Sequence, residues 1–127
     1  MKYVYDTNIF IYYLADEPRV DSLFGENFLN LHDILVSPIV RIELLSFSGL
    51  SENEKQSIED LLSQFKSVPL SREIEDQTIH LKQRHKIKLP DAIIAATALN
   101  QDAFLVTRNV RDFQEIAGIK IQNPFVN

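Results

Sequence analysis

Lys2-Tyr3-Val4-Tyr5-Asp6-Thr7-Asn8-Ile9-Phe10-Ile11-Tyr12-Tyr13-Leu14 decides how the rest of the chain is read. The β-branched and aromatic residues at its start suit a short buried strand, and the apolar run from Ile9 is long enough for a helix packed on most sides. The polar break Asp6-Thr7-Asn8 then falls at the carboxyl end of the first strand. In open parallel sheets that edge is where ligands bind, because loops and helix N-termini converge there and present backbone amides. Taken alone, Asp6-Thr7-Asn8 reads more simply as a helix N-cap, since all three side chains accept hydrogen bonds from first-turn amides. Further acids placed the same way would overturn that reading.

Outward from this stretch, helical and extended patterns alternate. Glu17-Pro18 opens a helical stretch reaching about Leu31, with Val20, Leu23, Phe24, Phe28 and Leu31 near helical spacing. Ile34-Leu35-Val36 reads as a buried strand, and Ser37-Pro38 starts a helix that ends at Phe47. Ser51 with Glu54 makes a capping box before the stripe Ile58, Leu61, Leu62, Phe65. Ser67-Val68-Pro69-Leu70 is a weak strand, placed at a sheet edge because proline lacks a donor. Ser71 caps a helix with Ile74, Thr78 and Leu81 along one side, ending near His85. Leu89-Pro90 begins a helix over Asp91 to Asn100, Phe104 to Thr107 is a strand, Arg108 to Ile116 is a loop with one helical turn, and Ile119 to Ile121 is a last strand. Strands alternating with helices imply a parallel sheet covered on both faces, with right-handed crossovers.

A chain of 127 residues with 45% hydrophobic content is one domain, residues 1–127, with a sizeable core. The absence of cysteine excludes disulfide scaffolds, thiolate metal sites and cysteine nucleophiles. No apolar span approaches the roughly 20 residues that a membrane helix requires, so the expectation is a soluble cytoplasmic protein without a membrane partner. A net charge of −5 argues against binding nucleic acid through a broad basic surface. It does not argue against carboxylates that hold divalent cations, because a bound metal inverts the local sign.

The sharpest physical argument lies in the helix from Pro38. Stepping about 100° per residue, Glu43 falls between Ile39 on one side and Phe47 and Val40 on the other, an apolar face where a carboxylate is costly unless paired or bound to metal. The alternative is a buried ion pair, although Arg41 points to roughly the opposite face. Asp91 is the only charge in an otherwise apolar helix, and by itself it is a favourable acid at the positive end of a helix dipole. Thr107 and Asn109 read as turn residues and Asp112 as a cap for the short helix that follows. Together, Asp6, Glu43, Asp91 and the segment Asn109 to Asp112 each follow a strand or lie near a helix start, so the topology can gather them at one end of the sheet. A cluster of unpaired oxygen ligands is what Mg²⁺ or Mn²⁺ requires.

These motifs, in this order, resemble the PIN-domain family, in particular the VapC-type toxins of bacterial and archaeal toxin-antitoxin pairs. The residues that carry the likeness are Asp6-Thr7-Asn8, Glu43 in Ile42-Glu43-Leu44-Leu45, Leu89-Pro90-Asp91-Ala92 and Thr107-Arg108-Asn109 before Asp112-Phe113. The resemblance covers essentially the whole chain. It implies a three-layer α/β/α fold, a Mg²⁺- or Mn²⁺-dependent endoribonuclease acting on an RNA substrate, a homodimer, and a cognate antitoxin that blocks the site. Carried over by position, Asp6, Glu43 and Asp91 match the three acids around the family's metal. The family's fourth acid falls where this chain has Asn109, which leaves a second metal open and gives Asp112 either a compensating or a capping role. Asn8 and Thr107 become supporting polar groups. Arg108 and Arg111 are phosphate-contact candidates because they neighbour the site, whereas the basic run Lys82, Arg84, His85, Lys86, Lys88 reads as a solvated helix end. His32, His80 and His85 have no paired spacing and are assigned no role.

On this reading, water attacks the phosphorus and the products carry 5′-phosphate and 3′-hydroxyl ends. Two other classes remain. A phosphatase or phosphoacceptor built on Asp6 would want a second Asp two residues on, where Asn8 stands. A non-catalytic PIN-like protein binding RNA or a partner would keep the fold with a site weakened at Asn109.

Overall fold

The computed structural model describes residues 1–126. Its elements run β1 (Lys2–Tyr5), α1 (Thr7–Leu14), a 3-10 segment (Pro18–Phe24), α2 (Glu26–Leu31), β2 (Asp33–Val36), α3 (Pro38–Leu45), α4 (Glu52–Leu62), β3 (Lys66–Ser67), α5 (Arg72–Arg84), α6 (Leu89–Asn100), β4 (Phe104–Val106), α7 (Val110–Phe113) and β5 (Lys120–Gln122). The five strands form one sheet in the order β3-β2-β1-β4-β5, and every pairing is parallel. Val4 lies opposite Leu35 on one side and Leu105 on the other, so β1 is central. Its residues Tyr3, Val4 and Tyr5 are buried, as are Ile34 to Val36 and Leu105 and Val106, which is the continuous apolar character a two-sided parallel sheet needs.

Strand order determines where the site must be. From β1 the chain steps outward to β2 and β3, then returns across β1 to β4 and continues to β5. With right-handed crossovers, the helices before this return cover one face and those after it cover the other. The reversal point lies between β1 and β4, whose carboxyl ends carry Asp6 and Thr107. Crevices of this kind are where open α/β sheets bind ligands.

Several helix starts follow the local chemistry. Ser37 accepts from the Ile39 amide at 3.3 Å, Ser51 and Glu54 form a reciprocal capping box, and Ser71 accepts from the Ile74 amide at 3.2 Å. The helix that carries Asp91 buries Ala92, Ile94, Ala95, Ala96, Thr97 and Ala98, and its small side chains let it lie close to β1 and α5.

The helical stretch expected from Glu17 to Leu31 is two pieces. Gly25, with extended backbone (φ −70°, ψ 150°), separates the 3-10 segment from α2. The bend lets Phe24 turn inward, stacked on Tyr13 at 4.1 Å, and brings the Leu23 carbonyl to the Tyr5 hydroxyl at 2.7 Å. The helix expected to reach Phe47 ends at Leu45, where the Ser46 hydroxyl turns back onto the Ile42 carbonyl and Phe47 is left exposed. The edge strand expected over Ser67 to Leu70 is confined to Lys66–Ser67. The Val68 amide makes one more bond, to Val36, before Pro69 ends the ladder.

Candidate functional site

Asp6 is at once a helix cap and the floor of a cleft. One carboxylate oxygen accepts from the Ile9 amide at 3.2 Å, as an N-cap should, and the other accepts from the Thr107 hydroxyl at 2.5 Å. Thr107 is itself fixed: its hydroxyl accepts from the Asn109 amide at 3.0 Å, and its own amide donates to the Gln122 carbonyl. Asp6 is only 4% exposed. Burial pushes its carboxyl up to about 6, against the opposing effect of the Thr107 and Ile9 bonds, and the nearby Asp91 pushes the same way.

Glu43 is half-buried and accepts from the Thr7 hydroxyl at 2.6 Å. The buried ion pair has no support here. Arg41 turns to the other side of α3 and holds Glu59 with two bonds of 2.7 and 2.8 Å, as its helical position requires. The face around Glu43 is a rim rather than core, since Ile42 and Phe47 are both more than half exposed.

Asp91 stands half-buried in the first turn of α6. Burial raises its carboxyl above the usual range, Asp112 and Glu43 raise it further, and Lys88 partly offsets them. Asp91 is therefore the electrostatic link among acids from four separate segments, acting on Asp6 and acted on by Glu43 and Asp112.

Asn109 and Asp112 are joined to each other, the amide nitrogen donating to the carboxylate at 2.5 Å. The capping role expected of Asp112 does not hold. It lies inside α7, whose N-cap position is Asn109, and the Asn109 side chain makes no capping bond because it is engaged with Asp112. Asn8 is exposed and lines the cleft. Arg108 and Arg111 are exposed, with no carboxylate within ion-pair distance among the described residues. The sequence offered Thr7 only as one of three possible cap acceptors, and in the structure its hydroxyl anchors Glu43. Its hydroxyl beside Asp6 at a strand end was the only available signal.

The cleft, about 570 Å³, is walled by α1, α3 and the start of α6, with Asp6, Glu43 and Asp91 along it. Among the described residues, no three acids lie close enough as placed to form a complete coordination shell. The donor set nevertheless suits a hard divalent cation. It is all oxygen, Asp91 raises Asp6, Glu43 and Asp112 raise Asp91, and the only cation opposing them at Asp91 is Lys88. Mg²⁺ commonly retains several waters and takes only one or two carboxylates directly, so a partly gathered set fits it.

Compared with known families, residues 3–119 match the PIN domain. The chain belongs to the PIN-domain family. Its four acid-bearing segments all lie inside the matched span. Among similar PIN proteins, ribonuclease VapC1 of Haemophilus influenzae is 30% identical over 97% of this chain and 98% of its own length. Ribonuclease VapC19 of Mycobacterium tuberculosis is 34% identical over 85% of this chain and 89% of its own. A toxin-antitoxin complex from Klebsiella pneumoniae contains a chain with a TM-score of 0.78 and 29% identity, covering 98% of each chain. This PIN domain therefore has VapC-type relatives along nearly its whole length, as its motifs led one to expect. Among the described residues no helix is long and apolar enough to cross a membrane.

Proposed function

We propose that this PIN domain is a Mg²⁺- or Mn²⁺-dependent endoribonuclease of the VapC type, the toxin of a toxin-antitoxin pair. The observation that carries the reading is the set of carboxylates, Asp6, Glu43 and Asp91, that line one cleft at the β1/β4 crevice, where Lys88 alone opposes the charge at Asp91. The VapC ribonucleases that resemble the chain over most of its length support the same activity.

Asp6, Asp91 and Glu43 would hold the ion. Bound there, it would lower the pKa of a water and offset charge developing on the phosphodiester. Asp6 is the fixed member, clamped by the Ile9 amide and the Thr107 hydroxyl. Glu43 is the adjustable one, on a longer side chain with a single hydroxyl partner. Asn109 keeps Asp112 turned toward the site, where Asp112 adds negative charge beside Asp91 without Asn109 adding any. Asn8 is available to orient a water or the strand. Arg108 and Arg111 are free to meet phosphate.

The antitoxin belongs to the same proposal. An apolar groove lined by Ile11, Leu14, Leu44, Phe47, Leu50 and Ile58 runs into the acid cleft through Ile11 and Phe47, so a partner segment seated there would extend over the acids. A homodimer is the expected assembly on the same family grounds.

The test is cleavage of a mixed structured RNA pool with Mg²⁺ or Mn²⁺, beside an EDTA control and the Asp6→Asn and Asp91→Asn variants. Cutting that needs metal and is lost in both variants supports the enzyme and its site together. A protein that neither cuts the pool nor binds Mn²⁺ by calorimetry would be a PIN-like scaffold instead.

A further inference from the structure

Arg108 lies between two residues committed to the acid site: Thr107, bonded to Asp6, and Asn109, bonded to Asp112. Its side chain is exposed, yet aromatic neighbours hold it. The guanidinium carbon is 4.2 Å from the centre of the Phe125 ring and 5.6 Å from that of Tyr12, and Nη1 reaches the Tyr12 hydroxyl at 3.4 Å. The two rings are 4.9 Å apart. Arg19 approaches the same Phe125 ring at 5.3 Å, leaning on Glu17 at 3.3 Å.

Two guanidinium groups at one ring repel each other. Cation–π attraction offsets part of that repulsion, Glu17 offsets more at Arg19, and an anion at Arg108 would do the same there. A guanidinium over a ring keeps its edge N–H donors directed outward, in the fork that matches a phosphate. Only Arg19 has a carboxylate partner among the described residues. Tyr12 is one helical turn beyond Asn8, which lines the acid cleft, so the shelf continues the cleft along α1. Half-buried aromatic rings interleaved with arginine are what a single strand of RNA uses, with phosphates on the cations and bases on the rings.

We propose that Arg108, held over Phe125 and Tyr12 with Arg19 at the same ring, positions single-stranded RNA by taking a phosphate next to the one being cut. This rests on the ribonuclease reading. It adds the shelf that aligns the strand and the state of the strand, unpaired, that the shelf accepts.

The experiment is fluorescence anisotropy with a short fluorescein-labelled single-stranded RNA in Ca²⁺, over a series of salt concentrations, with a thermal melt of each variant. Arg108→Ala weakens binding roughly tenfold and lowers the slope of log K against log salt by about 0.7, one phosphate contact on a single strand. Arg108→Lys keeps the slope and recovers only part of the affinity, because a lysine lacks the planar fork. Phe125→Leu weakens binding at unchanged slope, and these two variants carry the test if Arg108→Ala does not fold. Unchanged affinity and slope in the Arg108 variants overturn the shelf, including the case where only the melting temperature falls and the stack merely pins the C-terminal segment. Wild-type protein that cleaves the RNA pool while binding is insensitive to Arg108 leaves the nuclease standing and removes the shelf. Wild-type protein that neither binds nor cleaves removes both.

Discussion

Arg41 and Glu43 are two residues apart on α3, and the carboxylates they concern are treated in opposite ways. On one side of the helix, Glu59 receives a two-pronged grip from Arg41, which holds its carboxyl below the usual range. On the other side, Glu43 receives one hydroxyl, and its charge helps push Asp91 up. Asp6, deeper still, is raised by burial to about 6. The chain thus gives an exposed carboxylate a full ion pair, whereas among the described residues the more buried ones have none and Lys88 only partly offsets the charge at Asp91. The cost of that arrangement falls at the β1/β4 crevice, where a divalent cation from outside would remove it.

The largest separation between the two sides is expected in activity. Asp6→Asn and Asp91→Asn each lower metal-dependent RNA cleavage by on the order of 10³-fold, since removing a group that stabilises transition-state charge typically costs that much. Glu59→Gln leaves it unchanged in the same gel assay. A Glu59→Gln enzyme that lost activity would break the comparison.

Next in size is stabilisation by metal. Mn²⁺ at 100 times its dissociation constant raises wild-type stability by about 2.7 kcal/mol, seen as an upward shift in a thermal melt, with little or no shift in Asp91→Asn. An equal shift in both would place the ion elsewhere.

Without metal, Asp6→Asn melts higher than wild type near pH 8. The native carboxyl titrates near 6 and the unfolded one near its ordinary value of 3.8, so the folded state binds the proton more tightly. That contribution is fully present below the unfolded value and is lost as pH rises through about 6, leaving wild type weaker above it by roughly 3 kcal/mol. The advantage of the variant should therefore shrink as pH falls from 7 to 4, as melts in EDTA would reveal.

Asn109→Asp makes a smaller change. It sets two carboxylates face to face where an amide now donates to Asp112, so the metal-free protein melts lower while its Mn²⁺ affinity by calorimetry rises a fewfold. The smallest effect is at the paired side, where Glu59→Gln barely moves the melting temperature because the pair is exposed.

The elements that sequence revealed best are those with local causes. Ser37, Ser51 and Ser71 cap the helices they were expected to cap, and alternation of strands with helices gave the parallel sheet. Asp6, at a strand end, Glu43, on a conflicting helix face, and Asp91, at a helix start, were candidates from the sequence, and the structure lines one cleft with all three. What escaped depends on partners distant in sequence. The break at Gly25 serves Tyr5 and Tyr13, the Thr7 hydroxyl serves Glu43, and Phe125 meets Arg108 only after the sheet is assembled. Of the two roles left open for Asp112, capping fails because the helical turn starts at Val110, before Asp112, a boundary of one or two residues that sequence does not resolve.

The bond between Thr107 and Asp6 spans 101 positions of chain. The central strand must pair with β4, which lies far along the chain from it, before that bond can form. Contacts of such long range form late and slowly. One oxygen of the carboxylate at the end of β1 is capped locally by the Ile9 amide, but the other has no Thr107 hydroxyl until β4 has docked beside β1. Chemistry at this carboxylate is thereby tied to assembly of the sheet and not to the local Asp6-Thr7-Asn8 motif alone.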